Sequence, residues 1–206
     1  MLGDLDRSVA AFLGGLLPEG TAVRFDPPAA LRDEDVLLDA FLYDIREARP
    51  PVADGTLTRD VEGHVTGWQP PVRRYRVSYL LTAWTGGGVL ARGEHDLLGA
   101  ILAGCAAVYE LPRHCLHGVL AGAGEPLPLS CAAADRAADA ALLWPQLGIG
   151  ARTGLDLTIV APVVPPLATG LAPAVRSVEY GVRRSPPPGQ PAASRPGRPE
   201  QRITEG

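Results

Sequence analysis

The stretch "VLLDAFLYDIREARP", Val36 to Pro50, decides how the chain is read. Its first ten residues are apolar at nearly every position, so a strand formed here must be covered on both faces, as in a central strand. The run then breaks into Asp44, Arg46 and Glu47 before Pro50 and Pro51 end it. Charges at a strand end suit a catalytic cluster, a metal site or a docking surface.

Downstream, "RYRVSYLLTAW" (Arg74 to Trp84) is the second strong strand. Tyr75, Val77, Tyr79, Leu81 and Ala83 share one face; Arg74, Arg76 and Ser78 begin the other, which turns apolar only at Leu80. This strand starts at a wet edge and runs inward. Upstream, Leu5, Val9, Phe12, Leu13, Leu16 and Leu17 recur with helical spacing, and Pro18 and Gly20 stop the helix. "AVRFD" (Ala22 to Asp26) reads as a short strand closed by Pro27 and Pro28. Gly55, Gly63 and Gly67 among Thr and Val suggest a small hairpin.

After "TGGG" (Thr85 to Gly88) a helix is expected from about Glu94 to Glu110, with Leu97, Leu98, Ile101, Leu102, Cys105, Val108 and Tyr109 on its buried stripe. Glu94 and Asp96 suit the positive N-terminal end of such a helix. "HCLHGVLAG" reads as one or two further helical turns. "ADRAADAALLW" reads as a helix ending at Pro145, "LDLTIVAP" (Leu155 to Pro162) as a strand, and Val175 to Val182 as a last strand. The elements show no regular alternation of strand and helix. The fold class is α+β, a mixed, largely antiparallel sheet with helices packed on it.

The chain has 206 residues, 46% hydrophobic and 20% charged, which places it among globular proteins. A formal charge of -4 argues against nucleic acid or an anionic membrane as partner. Its 19 basic residues are all arginine, the side chain suited to bidentate ion pairs at interfaces, although coding bias alone explains the choice. Three cysteines, Cys105, Cys115 and Cys131, make no disulfide framework and fit reduced thiols. The apolar run Val9 to Leu17 follows Asp4 and Asp6, where a signal peptide needs positive charge. The expectation is a soluble, cytoplasmic product without a membrane span. From Ser185 there are six prolines in twenty-two residues and no periodicity, so residues 1–184 read as one domain and 185–206 as a tail, disordered or ordered on a partner.

Chemistry is thinly supported. Glu94, His95 and Asp96 are the best acid–base candidates, yet neighbours on a helix diverge by about 100 degrees and cannot meet on one substrate atom. Glu94 and His95 remain the basis of an enzyme alternative. His114, Cys115 and His117 offer metal donors without a third or fourth ligand at fitting spacing. The glycines after Trp84 lack a phosphate-binding fingerprint, no nucleophile elbow occurs, and Ser130 reads as a cap or turn residue. The expectation is no catalytic, cofactor-binding or metal residues. A regulatory module recruiting through its proline-rich tail is a further alternative.

Four stretches in order carry a resemblance: "FDPP" (Phe25 to Pro28), "FLYDIRE" (Phe41 to Glu47), "PPVRRYRVSYLLTAW" (Pro70 to Trp84) and "EHDLLGAIL" (Glu94 to Leu102). With Leu143–Trp144 and "LDLTIVAP" they make residues 4 to 182 resemble the N-terminal domain of cap, or tail-terminator, proteins of contractile injection systems. The resemblance implies an α/β sandwich-like fold similar to phage tail terminators. It also implies a structural role: a homo-oligomeric ring, expected to be a hexamer, at the end distal to the baseplate. Such a ring terminates inner tube and sheath and holds them together, in particles assembled in the cytoplasm. Its partners are itself, sheath and tube proteins. Such a ring joins two different faces of each subunit. Asp44, Arg46, Glu47, Arg73, Arg74 and Arg76, at strand ends, are the candidate interface. An open strand edge near Ala22–Asp26 or Val175–Val182 would suit an added strand.

Overall fold

The computed structural model describes residues 1–28, 36–48, 54–85, 90–133 and 143–169. The expected last strand and the tail from Ser185 lie outside the described residues. So do the glycines after Trp84 and most of the alanine-rich helix.

Helix α1 (Leu2–Gly14) leads into strand β1 (Ala22–Arg24). Strand β2 (Val36–Ala48) follows, then a hairpin of β3 (Thr56–Arg59) and β4 (Val65–Gln69), then β5 (Arg73–Thr85). Helix α2 (Leu90–Ala106), two 3-10 turns (Arg113–Cys115 and Gly118–Leu120), β6 (Leu129–Cys131), the short helix α3 (Leu143–Leu147) and β7 (Leu155–Val163) complete it. Five strands form one sheet in the order β1-β2-β5-β7-β6. Only β1 on β2 is parallel; the other pairings are antiparallel. The expected α+β class with a mixed, largely antiparallel sheet is what the chain adopts.

β5 is the middle strand, and it is buried at every position from Val77 to Trp84. One face of the sheet carries Leu38, Ala40, Tyr79, Leu81, Leu157 and Ile159, all essentially inaccessible. Against it pack Leu5, Val9, Phe12 and Leu13 of α1 and Leu97, Leu98 and Ile101 of α2. Each fully buried leucine or isoleucine in such a layer contributes about 1.5–3 kcal/mol. Polar ties fix the helices. The Tyr79 hydroxyl donates to Asp6 Oδ1 at 2.8 Å, and the Ser8 hydroxyl, donating to Asp4 O, accepts His117 N–H at 2.9 Å.

Several expected boundaries move. α2 begins at Leu90 and has no acidic residue in its first turn, so Glu94 and Asp96 do not sit at its positive end. The helix ends at Ala106; Leu102 and Tyr109, assigned to the buried stripe, are 41% and 91% exposed. Pro145 lies inside α3 instead of ending a helix, in the first turn, where its missing N–H has no helical partner to lose. Ser130, read as a cap or turn residue, is in β6.

Candidate functional site

The charged half of β2 owes its direction to one extra residue. Leu42 pairs with Tyr79 and Asp44 with Ser78, so Tyr43 is inserted as a β-bulge. Without it Asp44 and Arg46 would point toward the helices and Ile45 away from them. With it, Tyr43, Asp44 and Arg46 share the sheet face opposite the helices.

On that face Tyr43 reaches across β5. Its hydroxyl donates to Asp156 Oδ2 of β7, whose Oδ1 accepts the Thr158 hydroxyl at 2.9 Å. Thr158 in turn lies 3.2 Å from the Ser78 hydroxyl. Asp156, Thr158 and Ser78 are all buried. This chain of hydrogen bonds ties the three central strands together. Sequence reading missed it, because Asp156 sits in an otherwise apolar strand and Tyr43 is 113 residues away.

The six residues expected at an interface do gather at one end of the β2–β5 ladder, and they divide between its faces. Arg73 Nη1 meets Glu47 Oε1 at 3.1 Å on the helix side. On the other side Arg46 Nε lies 3.0 Å from Asp44 Oδ2, and Arg74 Nη2 is 2.7 Å from Glu125 Oε2. Arg76 is the exception. It is exposed, directly opposite Arg46 in the ladder, and has no ion-pair or hydrogen-bond partner among the described residues. Like charges face to face are unfavourable unless solvated or paired from outside.

Beside Arg76 the surface is hollowed. A cavity of about 150 Å³ is lined by Arg76, Pro128, Ser130, Thr158 and Val160 among others. A second of about 270 Å³, lined by Arg74, Glu125, Pro126 and Pro162, shares Pro128 and Val160 with it. Together they form a proline-walled groove along the β7–β6 side of this face. A larger hollow of about 400 Å³ lies at the far end of the ladder, between Pro18, Val36, Thr85 and Leu97.

The acid–base candidates are not brought together. Glu94 Oε1 accepts a hydrogen bond from Arg152 Nη2, and the Arg152 guanidinium stacks 4.1 Å above the Trp84 ring. Glu94 therefore clamps α2 to the sheet, while His95 and Asp96 are exposed. His114 and His117 are exposed and Cys115 is buried, so these three do not share one site. The one cluster of His, Cys, Asp or Glu with metal-like spacing among the described residues is Asp60, Glu62 and His64, in the exposed β3–β4 turn. There Asp60 Oδ1 accepts the His64 N–H at 2.7 Å, an ordinary turn contact.

Shifted titrations are structural as well. Burial, reinforced by Asp6, pushes the Tyr79 hydroxyl far above its usual range. Cys105 on α2 and Cys131 on β6 interact: Cys131 holds the Cys105 thiol below its usual value, and Cys105 raises that of Cys131. Burial raises Cys115. The Asp4 carboxyl is held low chiefly by the Val119 N–H it accepts, with help from the N-terminus and Arg7.

No helix among the described residues is long and apolar enough to cross a membrane. No curated protein sequence matches the chain. Two solved structures share the fold. One is the sheath/tube terminator of PVC, an extracellular contractile injection system, in its extended state: 21% identity, TM-score 0.61, covering 90% of this chain and 65% of that one. The other is the tube-terminating cap of the anti-feeding prophage: 19% identity, TM-score 0.62, covering 88% of this chain and 62% of that one. The chain thus spans somewhat less than two thirds of each. The family described as the Pvc16 N-terminal domain matches residues 4–177, nearly the whole described fold, and this chain belongs to that family.

Proposed function

We propose that this chain forms a cap that ends the inner tube and sheath of a contractile injection system and holds the two together. The observation that carries the reading is the family match over residues 4–177. The shared fold of two terminating caps supports it. The cap is a homo-oligomeric ring, expected to be a hexamer, assembled in the cytoplasm onto sheath and tube proteins. Residues 1–184 act as the terminator domain and 185–206 as an arm.

The role needs no catalysis, and the enzyme alternative loses support: Glu94 is engaged by Arg152, and His95 is exposed. The assembly surface includes the ladder end bearing Asp44, Arg46, Glu47, Arg73, Arg74 and Arg76. One of its ion pairs, Arg73–Glu47, bridges β5 and β2, and opposite charges there favour choice of partner over raw affinity.

The test is deletion in the producing cell with electron microscopy of the particles. Over-long tubes, or sheaths separated from tubes, are the expected outcome. Particles of normal length and integrity, together with a purified chain that stays monomeric beside them, would overturn the reading.

A further inference from the structure

Among the described residues, half of the large apolar side chains left exposed sit on one small appendage, the β3–β4 hairpin and the strap after β7 on which it leans. Leu57 pairs with Trp68 across the hairpin, and Val65 lies on the same face, opposite Arg59. The other face is occupied: Leu167 packs beneath Gly67, where an added Cβ would stand 3.3 Å from it. Trp68 and Ala168 exchange two backbone hydrogen bonds of 2.9 Å, and Gln69 Nε2 donates to Pro165 O at 2.8 Å. The hairpin is thus held in place with its apolar face outward. A lone two-stranded hairpin is at best marginally stable in water, so an anchored one presenting Leu57, Val65 and Trp68 to solvent is a surface made to be covered.

Its tip is acidic. In the turn, Val61 is fully exposed, and Glu62 is exposed with no partner among the described residues. The complementary surface is on the same molecule but elsewhere. Arg76 lies exposed, without a partner among the described residues, beside the groove walled by Pro126, Pro128, Val160 and Pro162. Glu125, the acid on that rim, is already neutralised by Arg74. An apolar hairpin with a free carboxylate thus matches an apolar groove with a free guanidinium.

We propose that the β3–β4 hairpin of one copy of this chain docks in the proline-walled groove of a second copy, with Glu62 paired to Arg76. The proposal rests on the ring reading above and specifies its contact. Two different surfaces meet, so the contact is head-to-tail and propagates from subunit to subunit until a ring closes. A specific interface buries roughly 800 Å² on each partner, more than so small a hairpin presents. The rest of the charged ladder end must therefore join the contact, and the hairpin sets its register.

The experiment is a charge exchange in the full chain, read by sedimentation velocity on purified protein and by cap occupancy on particles. Glu62→Arg and Arg76→Glu each replace the pair with like charges. Either is expected to weaken self-association at least tenfold without lowering the melting temperature of the dilute monomer, because both side chains are exposed and Arg76→Glu removes the like charge facing Arg46. The double variant Glu62→Arg/Arg76→Glu is expected to restore association. Rings unaffected by either single change would overturn the contact while leaving the ring intact. Loss in both singles without rescue in the double would also overturn it, because the two residues would then act in separate contacts. A wild-type chain that self-associates neither alone nor on particles would overturn this contact and the ring together.

Discussion

The two ends of the β2–β5 ladder are built on opposite principles. At one end Leu37, Leu38, Asp39 and Ala40 face Trp84, Ala83, Thr82 and Leu81, all buried. At the other, Arg46, Glu47 and Ala48 face Arg76, Tyr75 and Arg74, largely in solvent. The same two strands act as core at one end and as a charged stem at the other. Mutations should therefore change character along a single strand, from loss of folding to loss of contact.

The largest effect is expected at the buried end. Leu81→Ala should cost about 2–5 kcal/mol, from lost burial and the cavity left behind. Equilibrium denaturation measures it, and a loss below about 1 kcal/mol would break the claim that this end is core. Midway, Asp156→Ala removes the acceptor of both Tyr43 and Thr158 and should cost about 1–3 kcal/mol. Asp156→Asn, which keeps one acceptor oxygen, should cost less; equal losses would mean that the hydrogen-bond chain adds nothing.

Gly118 lies outside the ladder and calibrates the comparison. Its φ of +55° and a would-be Cβ 2.2 Å from Asp4 Oδ1 predict a loss of roughly 1–2 kcal/mol for Gly118→Ala. Asp4 itself supplies a pH test. The Val119 N–H holds its carboxyl below the usual carboxylate range, so its contribution is fully present above that range. It is lost as pH falls through the lower folded value. Thermal melts in acid should show this slope flatten in Asp4→Asn, and an unchanged slope would discard the assignment. The smallest effect belongs to the charged end: Arg46→Ala should shift stability by no more than about 0.5 kcal/mol, since its pair with Asp44 is exposed. A larger loss would make that end structural.

Long, regular patterns were legible in the sequence. α1 and β5 each repeat a period long enough to betray the buried face, β2 and β7 are unbroken apolar runs, and the wet start of β5 was visible in Arg74 and Arg76. Short or irregular features were not. β6 has three residues after a proline-rich turn, too few for a period. The start of α2 was hidden because its first turn carries no acidic residue to mark it. The bulge at Tyr43 leaves no trace in composition, since it is a matter of register with a partner strand. The strand-end positions of the six charged residues were legible, but their division into three ion pairs and an Arg76 without a partner among the described residues depends on Glu125, which is distant in sequence. The exposed apolar face of the hairpin escaped notice because nothing in the sequence distinguishes Leu57, Val65 and Trp68 from core residues.

The order of strands also bears on how the chain folds. Among the paired strands only β3 and β4 are joined by a short turn, whereas β5 must wait for residues 86–154 before it can pair with β7. Closing such long loops has an entropic cost before any contact offsets it, which slows folding. The hairpin can therefore form early, on the microsecond scale of isolated hairpins, while the five-stranded sheet assembles late. Until β7 arrives, the apolar edge of β5 lies open to other chains. Co-expression at low temperature, or with a chaperone that shields open strand edges, should raise the yield of folded protein more than any change to the surface.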